Sequence, residues 1–202
     1  MTPKRFSGRM RERIGAAAKR AAATAAAGAL LAAAAPSVSF EPAGERFAPA
    51  ADEYRALWAA EGPDIVAAME AATGLSFPQA PVEAIVSATP PMTAYHGREM
   101  RLRAGYPRAY KRAALTHEMG HLLALAMPRA AGVDDHGLLY LFLYDVWTDL
   151  YGRDYADRMV RLERRIGPEY DGAWAWALAM TREERQARLQ ALRMRLDYRP
   201  VL

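Results

Sequence analysis

Past residue 50 the apolar positions fall into helical and strand periods that divide the chain into elements. Tyr54, Leu57 and Trp58 share one face of a short helix from about Ala51 to Ala60, which Gly62-Pro63 is expected to end. A second helix starts at Pro63, carries Ile65, Val66, Met69 and Ala72, and finds a C-terminal cap in Gly74. From Pro81 the period shortens. Val82, Ala84, Ile85 and Val86 predict a short strand closed by Thr89-Pro90-Pro91, and Met92–His96 is a second extended stretch. In Arg98–Arg103, Met100 and Leu102 alternate with Glu99, Arg101 and Arg103, the pattern of a strand with one solvated face at the edge of a small sheet. Beyond Gly105 only helices are expected. One runs from Pro107 to Met127, and another from Asp134 or Asp135 to about Gly152, or on to Arg165. A third spans Glu169–Met180, and a last one runs from a Thr181-x-x-Glu184 capping box to near Leu196. Trp174 and Trp176 read as packing residues, and Arg182–Arg195 as a solvated face. The succession of a few strands followed by helices predicts a small α+β domain.

The start of the chain differs in kind. Up to residue 35 it carries seven basic residues and one acidic one, with an apolar run from Ala21 to Ala35 centred on Leu30 and Leu31, followed by Pro36. This is the anatomy of a secretory signal, with alanines suited to cleavage after Ala33 or Ala35; left uncleaved, the run would serve as an anchor. Residues 1–35 are therefore read as a signal peptide or N-terminal anchor, 36–50 as a linker rich in Pro, Ala and Gly, and 51–202 as the working domain. A periplasmic or extracellular location follows, with membrane contact only through an uncleaved N-terminal segment.

Charge then narrows the partners. The whole chain of 202 residues is formally +4, but without the leader 20 basic residues face 22 acidic ones, which removes the case for a nucleic-acid partner. The absence of cysteine excludes disulfide scaffolds, thiolate metal sites and cysteine nucleophiles. Any metal must be held by His, Asp or Glu.

Such a group occurs in Thr116-His117-Glu118-Met119-Gly120-His121, which contains H-E-x-x-H inside the helix from Pro107. Four residues is just over one turn, so His117 and His121 project from one face toward a common ion. Glu118 is placed to take a proton from zinc-activated water without ligating the metal. The motif is flanked by apolar Leu115, Leu122 and Leu123.

Over Leu115–Leu123 the chain resembles the zincin metallopeptidases, whose active-site helix carries H-E-x-x-H beneath a small sheet with an edge strand lining the substrate cleft. The resemblance implies a zincin-like fold, a bound Zn2+, peptide or protein substrates, and hydrolysis with Glu118 as general base. Backbone groups of Arg98–Arg103 would align an extended peptide. The third histidine and glycine of the metzincin branch are absent from Leu122–Met127.

A third ligand is needed, and the candidates are His136, Asp134, Asp135, Asp145 and Asp149. If the next helix returns antiparallel from about His136, counting equal rises places Asp145 level with the zinc and His136 roughly 12 Å away along the axis. Asp145 is therefore expected as the ligand. Asp149, one turn on, would orient the first histidine or serve as the alternative ligand, since Asp145-x-x-x-Asp149 resembles the gluzincin E-x-x-x-D. Thr148-Asp149-Leu150-Tyr151-Gly152 shares residues with the aspzincin signature. The apolar neighbours Leu139–Leu143, Val146 and Trp147 predict a buried helix, in which a carboxylate needs a partner. Tyr95, His96, His136, Tyr144 and Tyr151 are eligible to stabilise an oxyanion, with nothing to rank them. The rival reading is a non-catalytic exported module with a structural zinc site or a protein-interaction surface, in which a base beside the first ligand has no use.

Overall fold

The computed structural model describes residues 35–127, 133 and 135–197, the side chains as far as residue 194. The expected leader lies outside the described residues apart from Ala35, which precedes the first strand without regular structure. That first strand, β1 (Val38–Pro42), occupies the segment read as a linker. It pairs in parallel with β2 (Val82–Ser87) over Val38↔Val82 to Pro42↔Val86, and the Phe40 ring stacks against Tyr54 at 6.2 Å. The Pro- and Gly-rich composition hid it because β1 lies at the border of the sheet, where Pro42 can close a strand without breaking a central ladder.

A short 3-10 turn at Glu45–Phe47 leads into α1 (Ala48–Thr73), one continuous helix where two were expected. Pro63 lies inside it. Tyr54 and Leu57 before the proline and Ile65, Val66 and Met69 after it are all buried, so a single packed face outweighs the lost hydrogen bond. Gly62 helps: a Cβ there would stand 2.7 Å from the Trp58 ring. Gly74 ends α1 in the left-handed region, φ 63°.

The remaining strands are β3 (Met92–Thr93) and β4 (Glu99–Arg103), in a four-stranded mixed sheet of order β1-β2-β4-β3. β4 runs parallel to β2 and antiparallel to β3, with Met100 and Leu102 fully buried as their alternation predicts. It is an inner strand, however. The two-residue β3 forms the edge that the sequence assigned to Arg98–Arg103.

Among the described residues five helices follow: α2 (Arg108–Ala124), α3 (Asp135–Tyr151), α4 (Arg153–Glu163), α5 (Pro168–Leu178) and α6 (Arg182–Asp197). This is the α+β architecture expected. α2 packs on β3 and β4, while α3 touches α1, α2, α4, α5 and α6 and is apolar nearly all round, as a central helix must be. Gly152, at φ 85°, breaks the chain between α3 and α4 in a conformation that only glycine adopts easily. The capping box forms: the Thr181 N–H donates to Glu184 Oε2 (2.7 Å) and the Glu184 N–H to Thr181 Oγ1 (3.2 Å). Among the described residues no helix is long and apolar enough to cross a membrane.

Candidate metal centre

Helix α2 presents His117 and His121 one turn apart, with Nε2 to Nε2 at 3.1 Å. The second residue of α3, His136, completes a group whose three ligand nitrogens lie within 4.8 Å of one another. Two nitrogens about 2.0–2.1 Å from a tetrahedral ion stand roughly 3.3 Å apart, so the first pair is already at ligating separation. The imidazole set fits a metal ion.

The arrival of His136 follows from how α2 and α3 cross. At Gly120 a Cβ would lie 2.4 Å from Leu139 Cδ1 and 3.5 Å from the Phe142 ring, so the absence of a side chain lets the start of α3 press against the motif. α3 starts at Asp135, so His136 stands in its first turn, beside the motif. Setting His136 level with Met127 and counting equal rises from there misplaces the register by more than two turns, the separation of His136 from Asp145.

Asp145 accordingly lies about 13 Å further along α3, nine rises of 1.5 Å beyond His136. Its two oxygens accept from Arg185 of α6, at 2.6 Å from Nη2 and 3.1 Å from Nε, and both side chains are buried. Asp149, half exposed, binds Arg182 in the same forked manner at 2.8 and 2.5 Å. Neither aspartate reaches the histidines. The expectation of Asp145 as ligand and Asp149 as its neighbour is corrected: both tie α3 to α6, whose Arg-rich face is therefore only partly solvated.

The carboxylate that orients the first histidine is Glu163, the last residue of α4. His117 Nδ1 donates to Glu163 Oε1 (2.8 Å), which leaves Nε2 directed at His121, and Trp174 Nε1 donates to Glu163 Oε2 (3.0 Å). This is the carboxylate–histidine support that metal sites use to fix a ring and its tautomer. The sequence contained a signal for it. Tyr155, Ala156, Met159 and Val160 form the buried stripe of α4, and Glu163 continues that stripe with a charge. Trp174, read as packing, does pack, with its ring stacked on Tyr140 at 3.7 Å, and also holds this carboxylate; Trp176 is partly exposed.

Burial opposes a charged His117, but the Glu163 carboxylate outweighs it and holds the imidazole above its ordinary range. His121 is held well below its ordinary range by burial and then by the neighbouring His117 and His136, which favours the neutral imidazole that a metal ion needs. Burial pushes Glu118 up to about 7, against the His117 charge and a hydrogen bond from Thr93. Burial thus sets the direction for His121 and Glu118, and the Glu163 carboxylate sets it for His117.

These residues line a cleft of about 670 Å³, walled by Met92–Tyr95 on one side and by His136, Leu138 and Tyr170 on the other. Of the eligible oxyanion residues, Tyr95 and His136 line it. His96 accepts the Arg98 N–H (3.2 Å), the Tyr144 hydroxyl donates to Asp157 (2.8 Å), and the Tyr151 ring packs edge-on to Tyr155 outside the cleft. Tyr170, with its ring 4.2 Å from that of His136, was not singled out by any periodicity. No family model, curated protein or solved structure matches the chain.

Proposed function

We propose that the chain is an exported zinc-dependent peptidase of the zincin type, with His117, His121 and His136 as metal ligands and Glu118 as general base. The observation that supports this reading is the convergence in one cleft of three imidazole nitrogens and a buried carboxylate, all near an antiparallel edge strand. An all-imidazole set of three suits zinc and leaves a fourth position open, the mark of a catalytic site rather than a closed structural one. When bound, zinc polarises a carbonyl and brings the acidity of water near neutrality. Glu118 then takes the proton of the attacking water and passes it to the leaving amine. The wall that would pair with an extended peptide is β3 in place of Arg98–Arg103, because β4 is hydrogen-bonded on both sides.

Glu118→Gln is expected to keep about one zinc per chain and to lower kcat roughly 10²- to 10⁴-fold, the loss of an acid–base group. Metal analysis beside a peptide-library assay checks both halves. A wild-type protein that holds zinc and cleaves nothing in the library establishes the structural-site reading instead. The export half rests on the basic and apolar pattern of residues 1–35. Protein recovered outside the cytoplasm is expected to begin at Ala34 or Pro36 on N-terminal sequencing, whereas cytosolic protein beginning at Met1 overturns it.

A further inference from the structure

We propose that Thr93 is the positioning residue for Glu118 and couples the substrate-facing edge of the sheet to the general base; the inference rests on the peptidase reading. The Thr93 hydroxyl stands 2.7 Å from Glu118 Oε2 and 3.0 Å from the main-chain oxygen of the same residue. Both of its acceptors thus belong to Glu118, one on the side chain and one on the helix that carries it. Among the described residues Thr93 is the only hydrogen-bond partner of that carboxylate. A buried carboxylate with one anchor takes its orientation from that anchor, and the anchor here belongs to a strand rather than to the motif helix.

The strand matters because of its register. The Ala94 N–H donates to Glu99 O (2.9 Å), and Met92 pairs with Arg101 and Thr93 with Met100. In an antiparallel ladder the hydrogen-bonded positions alternate, so residues 92 and 94 face β4 while the N–H and C=O of Thr93 point to the open side. One residue therefore offers its backbone to an added peptide strand and its hydroxyl to the base. A substrate pairing along β3 fixes Thr93, and Thr93 fixes the carboxylate.

The test compares Thr93→Val, which keeps the volume and β-branching and removes the hydroxyl, with Thr93→Ser, which keeps the hydroxyl. For Thr93→Val, kcat on a cleaved peptide is expected to fall roughly 10- to 100-fold, the loss of a hydrogen bond to a charged group, with KM within about twofold. Thr93→Ser should recover kcat to within about threefold, and metal content should match wild type in both. Wild-type kcat in Thr93→Val overturns the inference alone, as does equal impairment of both variants, which assigns Thr93 to strand packing. Absence of cleavage by the wild-type protein overturns the peptidase reading and this inference with it.

Discussion

Asp145→Ala is expected to lower the unfolding free energy by about 3–5 kcal/mol while leaving zinc affinity within about threefold of wild type. The substitution strands the buried Arg185 guanidinium, which donates two hydrogen bonds to Asp145 and one to the Met180 carbonyl (2.7 Å). An uncompensated buried charge costs far more than the net worth of the pair. Against a typical total of about 5–15 kcal/mol this is a large share. Replacing both partners, as Asp145→Leu with Arg185→Met, should restore most of the stability, since an ion pair out of water is often matched by apolar residues of similar volume. Chemical denaturation of both variants, with zinc titration of the folded fractions, checks this. A single variant of unchanged stability that no longer binds zinc would make Asp145 a ligand after all.

His136→Ala should have the opposite profile, with stability little changed in the metal-free protein and zinc affinity reduced by more than the 10- to 100-fold that losing a supporting residue costs. The imidazole contributes the third nitrogen of the group, and only His117 and His121 are left without it. Asp149→Ala is the control. Its exposed pair with Arg182 is worth about 0–1 kcal/mol, and its loss should leave affinity unaltered. Isothermal titration into the apo proteins separates the two, and retention of tight binding by His136→Ala would reopen the search for the third ligand.

These two predictions mark where the sequence could be read and where it could not. Local periodicity identified the buried β4 face, the central helix α3 and the turn spacing of His117 and His121, because each depends on residues a few positions apart. The third member of the group depends on how two helices cross. That angle and offset are set by Gly120 against Leu139 and Phe142, a contact between separate elements that spacing along the chain does not encode. Equal rises counted along a simple hairpin exchange His136 for Asp145. The linker assigned to 36–50 failed for a related reason: five residues of edge strand, ending in proline, become visible only once β2 is there to pair with them. Glu163 was within reach, as a charge where an apolar residue belonged, and Arg185 likewise shares its helix face with buried Leu189 and Leu192. A charge that interrupts an apolar stripe indicates a buried partner elsewhere in the chain.

The line from His117 through Glu163 to Trp174 joins three helices, and the His117–Glu163 link spans 46 residues. The pair His117 and His121 exists as soon as α2 is wound, but the third nitrogen and the orienting carboxylate exist only when α3, α4 and α5 have docked. Occupancy of the site is therefore a gauge of the whole helical layer. An ion that binds the finished arrangement and not its parts adds stability by mass action, about 2.7 kcal/mol at a free concentration a hundred times its dissociation constant. Chelation should loosen regions that never touch the metal, α5 among them.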